Sequence, residues 1–115
     1  MERPTLVFIS QPMKDRSRDG IERERKLIMD DLPQILGVDS VEEIPSLLDT
    51  RTIRQMHPLY CLGMSIQLLS AAEVAVFAEG WEEARGCRIE HECALQYGIR
   101  ILDLSNGQIE GEKKE

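Results

Sequence analysis

Aromatic side chains are scarce in this chain of 115 residues: one Trp, two Tyr and two Phe make up 4% of it. A core with so few rings has to be built from Ile, Leu, Val, Met and Ala. Basic residues are also in deficit, 14 Lys and Arg against 21 Asp and Glu, for a formal net charge of −7. Such a chain repels phosphate backbones and anionic headgroups, so neither nucleic acid nor membrane is expected as a partner. A single local anion site stays compatible with that balance. Cysteine is limited to Cys61, Cys87 and Cys93, an odd number that cannot all pair. The opening Met1-Glu2-Arg3-Pro4 leads into only a handful of apolar residues, unlike an export leader. The longest uncharged stretch, His57 to Ala72, is interrupted by Pro58, Gly63, Ser65, Gln67 and Ser70 and does not read as a membrane span. Free thiols without a leader predict a cytoplasmic protein.

What is present suffices for one domain. Hydrophobic residues make up 42%, enough for a single core and too many for a disordered chain. We assign the domain to residues 1–104 and expect the polar segment 105–115 to be frayed. Thr5 to Ser10 is a β-branched, apolar run that reads as a buried first strand. From Gly20 or Ile21 to Leu36, Ile21, Ile28, Leu32 and Ile35 recur at helical spacing, widened by Leu27, Met29 and Leu36. The charges of this helix read as a solvated face, and Pro33 predicts an end or kink near residues 30–32. Residues 37–57 are hard to read. Val41 to Ile44 suits a short strand, and Ser46 to Asp49 a helical turn. Pro58 opens a helix to about Ser70, with Leu59, Leu62, Ile66 and Leu69 on one face. Glu73 to Ala78 is the clearest strand, a helix spans roughly Glu83 to Tyr97 before Gly98, and Ile99 to Leu102 is a last strand.

Strands alternating with helices predict an α/β fold, a three-layer parallel sheet of four to five strands covered on both faces. Such sheets bind ligands beyond the carboxyl ends of their strands. That directs attention to the loops at residues 10–19 and 78–86. The second leads into Gly80-Trp81, Arg85-Gly86 and, one turn into the helix, Glu90. Gly86 permits close backbone approach, and the helix start presents free N–H groups. A carboxylate beside the buried face at the mouth of a sheet is a candidate nucleophile or base. The competing reading of Glu90 is a surface residue paired with Arg85 or Arg88. Trp81 suits either stacking on a nucleobase or capping the sheet edge, and Ser10 either a ligand contact or a strand end. His57-x-x-x-Cys61 and Cys87-x-x-x-His91 have metal-ligand spacing. Pro58 sets His57 outside its helix and Cys87 suits a small core position, so no metal and no cofactor is expected.

Phe8-Ile9-Ser10-Gln11-Pro12-Met13 resembles the opening strand-Gly-Pro-Met/Phe of the nucleoside 2-deoxyribosyltransferase-like superfamily. Residues 73–81 followed by Gly86-x-x-x-Glu90-x-x-x-Ala94 resemble its last strand and catalytic helix. The resemblance runs from about Leu6 to Ile101 and implies a flavodoxin-like or Rossmann-like fold. It also implies chemistry at the N-glycosidic bond of a nucleoside or nucleotide, with Glu90 as the nucleophile and dimers or larger homo-oligomers. By the same resemblance Ser10, Gln11, Pro12, Met13, Ser65, Gly80, Trp81, Arg85 and Gly86 line the substrate. Three positions depart from the pattern: Gln11 replaces the glycine before proline, and Ser65 and Ala84 stand where acids or a phosphate-binding serine are usual. Those departures keep a second reading open, a catalytically silent nucleotide-binding protein that senses or sequesters its ligand.

Overall fold

The computed structural model describes residues 3–47, 50–105 and 108–110. The elements follow the order β1 (Thr5–Ser10), α1 (Arg18–Leu36), β2 (Val41–Glu43), α2 (Thr50–Gln55), α3 (Pro58–Leu69), β3 (Val74–Phe77), a 3₁₀ turn (Trp81–Glu83), α4 (Arg85–Gln96), β4 (Arg100–Asp103) and β5 (Gln108–Glu110). The sheet runs β2-β1-β3-β4-β5, its first four strands parallel. This is the α/β class expected, a three-layer arrangement of the flavodoxin-like kind, and its strand order puts the switch point between β1 and β3. Gln108–Glu110 departs from the frayed tail read from its polarity. It pairs antiparallel with β4, where ladder hydrogen bonding decides the outcome and side-chain polarity does not.

Alternation along the strands divides the core in two. Val7, Ile9, Val74, Val76 and Leu102 pack against Leu32 and Leu36 of α1. Phe8, Ala75, Phe77 and Ile101 pack on the opposite face with Leu69 of α3 and Ala94 of α4. Helix α1 starts at Ser17, whose hydroxyl accepts from the Gly20 N–H. It does not end near residues 30–32, one of the two outcomes expected of Pro33, but runs to Leu36, because fully buried Leu32 and buried Leu36 hold the last turn on the sheet. Gly37, left-handed at φ 69°, closes it, with Val38 N–H donating to Pro33 O. Leu27 and Ile35, expected on the buried stripe, are exposed.

Helix α3 buries only its end: Leu69 is covered, Leu62 and Ile66 are half-buried, and Leu59, expected on the same inner face, is exposed. Helix α2 has no counterpart in the sequence reading. Of the helical turn expected at Ser46 to Asp49, residues 46–47 are irregular and residues 48–49 lie outside those described.

Candidate functional site

Strand register builds the site. Ser10 pairs with Phe77, and Phe77 with Asp103, so these three residues form one row across the carboxyl ends of β1, β3 and β4. Alternation turns all three toward the α3–α4 face. Each is met there by the segment that follows β3.

Helix α4 presents Cys87, Glu90 and Ala94 inward, at spacings of three and four. Ala94 lies against the sheet, and Glu90 reaches the row end, where Ser10 Oγ donates to its Oε1 at 2.5 Å. Glu90 is 8% exposed and is therefore no surface glutamate. Neither arginine pairs with it: Arg88 donates to Glu82 O, and Arg85 is exposed at the helix start. Burial raises the Glu90 pKa; the Ser10 hydrogen bond and the positive charge of Arg25 oppose that rise without cancelling it. Cys87 shares this environment. Its thiol is pushed up to about 11, mainly by burial with the Glu90 charge adding, against a hydrogen bond with Ser10. At neutral pH it is a protonated, inert thiol.

The other expected site residues divide. Pro12 and Gly80 bring the two loops together: a Cβ on Gly80 would stand 3.7 Å from Pro12 Cγ. Gly80 is left-handed, φ 87°, which starts the 3₁₀ turn. Gly86 lies under α3, where a Cβ would meet Leu62 Cδ1 at 3.9 Å. Ser65 is half-buried one turn beyond Leu62, and Met13 is half-buried in its loop.

Gln11 is turned away from this face. Its Nε2 donates to Ile21 O at 2.8 Å and to Glu24 Oε1 at 2.7 Å, so the side chain is tied to α1. Trp81 is engaged as well. Its Nε1 donates to Asp103 Oδ1 at 3.0 Å, and its ring stacks on His91 at 4.2 Å and 9°, beside Phe77. That arrangement caps the sheet end. Asp103, 2% exposed, also accepts from the Ser105 N–H and hydroxyl.

Two residues of this region went unread in the sequence, Asp103 and Arg25. Asp103 closes the last strand without any pattern to mark it. Arg25 belongs to the charges that read as a solvated face, yet it is 5% exposed. Its signal was position: Ile21, Arg25, Ile28 and Leu32 form one helical row, so the guanidinium enters the buried stripe.

A cleft of about 470 Å³ opens elsewhere, between α1 and β2, lined by Arg25, Met29, Glu43, Pro45 and Leu47 among others. It does not include Glu90. Among the described residues no cluster of three His, Cys, Asp or Glu side chains is placed to hold a metal ion. His57 instead caps α3, its Nδ1 accepting from Leu59 N–H at 3.0 Å. No helix among the described residues is long and apolar enough to cross a membrane. Comparison with known family models, curated proteins and solved structures finds no match to this chain.

Proposed function

We propose that this chain acts on the N-glycosidic bond of a nucleoside or nucleotide, as a hydrolase or deoxyribosyltransferase, with Glu90 at the anomeric carbon. The observation that carries the reading is the buried Ser10–Glu90 pair at the carboxyl ends of β1 and β3. Ligands of sheets with this strand order bind at this end, beside the switch point, which supports the reading. The motif resemblance, Gly86-x-x-x-Glu90-x-x-x-Ala94 after the β3 loop, supplies the chemistry.

Departure of a base from C1′ leaves an oxocarbenium-like centre, which a nearby carboxylate stabilises or traps as a glycosyl ester. Water then releases the sugar, or a second base accepts it. Only ionised Glu90 can do this, so the Ser10 hydrogen bond, which favours the anion, is part of the machinery. Glu79, Glu82 and Glu83, exposed in the loop after β3, are the acids of that loop able to protonate a leaving base.

The same reading carries a cytoplasmic location, supported by three cysteines none of which is in a disulfide. It also carries self-association, since α3 has no charged residue and leaves Leu59 and Tyr60 exposed.

The alternative is a silent nucleotide-binding protein. It is favoured by burial of Glu90 toward its neutral form and by the engagement of Gln11 and Trp81 inside the protein. Incubation with a panel of nucleosides and 5′-monophosphates, followed by chromatography of the free base, separates the two. Base release by the wild type, lost at least a hundredfold in Glu90→Gln, is the expected outcome (general acid–base or nucleophilic groups contribute ~10²–10⁴-fold). Ligand binding without release would sink the enzyme reading in favour of the silent one.

A further inference from the structure

The backbone end that carries Ser10 is held from the opposite face of the sheet. Val7 aligns with Glu43, the last residue of β2, so β1 runs on beyond the end of its neighbour. The Ile9 carbonyl projects on that vacated side, two residues after the Val7 carbonyl that accepts from Ile44 N–H. Arg25 takes the vacancy. Its Nη2 donates to Ile9 O at 3.2 Å and its Nε to Gln11 Oε1 at 3.0 Å. Its Nη1 donates to Glu43 Oε2 at 2.8 Å and Ser46 Oγ at 3.2 Å. The residues before and after Ser10 are therefore both tied to one buried guanidinium, and Gln11 is tied further to α1 through Ile21 O.

We propose that Arg25 is the positioning residue for Glu90: by fixing Ile9 and Gln11 it holds the Ser10 hydroxyl on the carboxylate, and its cation is the standing counter-charge behind the site. The proposal rests on the reading of Glu90 given above. A planar fork with several donors in fixed directions suits this task, whereas a lysine ammonium supplies charge without the fork. The groups beside Glu90 are the Ser10 hydroxyl from β1 and the Cys87 thiol on its own helix, and the Arg25 charge acts on it from the far side of the sheet. Of these only Arg25 is charged at neutral pH.

The test is the titration of the Glu90 side-chain carboxyl, followed by carbon-13 NMR in the full chain without substrate and assigned with Glu90→Gln. In Arg25→Gln the midpoint rises by about one pH unit, a tenfold change in proton affinity. In Arg25→Lys, which restores charge but not the fork, it returns roughly halfway. Glu43→Gln, which leaves the guanidinium in place and unmasks its charge, shifts the midpoint downward and serves if Arg25→Gln does not fold. A folded Arg25→Gln whose Glu90 midpoint matches wild type overturns the proposal, as does a Glu43→Gln midpoint that stays put or rises. A merely structural arginine would perturb Lys and Gln variants alike and give no opposite shift in Glu43→Gln. Because the readout needs no turnover, failure of base release and failure of the Arg25 role are separate results. Where release is measured, the acidic limb of kcat/KM in Arg25→Gln moves up with the titration.

Discussion

At the scale of single residues, the carboxylate at Glu90 is held at a cost to stability. Its folded pKa lies above the ordinary glutamate value of 4.5, so the folded state holds the proton more tightly than the unfolded chain. The stability this contributes is complete below the ordinary value and is lost as pH rises through the raised one. Glu90→Gln, which cannot ionise and keeps the shape, is therefore expected to gain stability over wild type at pH 7.5, with the difference shrinking at pH 4. Urea midpoints at the two pH values check this. A difference that grows toward acid would mean that Ser10 and Arg25 outweigh burial. Such a trade of stability for a poised group is what the role proposed for Glu90 would entail.

At the scale of elements, the loop after β3 depends on one backbone conformation. Gly80 is left-handed at φ 87° with ordinary room for a side chain near Pro12, so Gly80→Ala meets conformational and not steric resistance. Its expected cost is about 1–2 kcal/mol, read from the urea midpoint. The loss should be accompanied by altered fluorescence of Trp81, the neighbouring residue and the only tryptophan. An unchanged midpoint would place the constraint elsewhere.

Elements whose apolar period is strong were legible from sequence: β1 was predicted with its observed bounds, and β3, α1, α3 and α4 to within a few residues. Legibility failed where tertiary contacts outvote local preference. Pro33 costs α1 a hydrogen bond close to its end, and the seating of Leu32 and Leu36 on the sheet outweighs that. Leu27 and Leu59, apolar and well spaced, are exposed because each helix meets the sheet along a narrower line than its composition allows. Residues 37–57 lack any period, and α2 at Thr50–Gln55 is too short to leave one.

At the scale of the whole molecule, the proposed self-association is a matter of charge and apolar surface. With a net charge of −7, two copies repel over most of their surfaces. The uncharged helix α3, with Leu59 and Tyr60 exposed, is one on which two copies would approach without that penalty. Sedimentation equilibrium is expected to give about twice the 13.1 kDa chain mass, and the monomer mass for Leu59→Glu, where the substitution is exposed and the fold is retained. A wild-type monomer at tens of micromolar would exclude pairing through α3.

The sequence by itself determined the alternation of strands and helices, and with it a parallel sheet whose strands end beside residue 10 and the start of the α4 helix. These follow from periodicity and turn chemistry, which act over a few residues. Only the tertiary structure decided that Ser10 meets Glu90, eighty positions away, that Gln11 turns inward to α1, and that Trp81 is bound to Asp103 and His91. Register sets those partnerships, and register is a property of paired strands. Arg25 shows the division within one side chain: its helical row was written in the sequence, but what it bonds was set by β2 ending before β1 does.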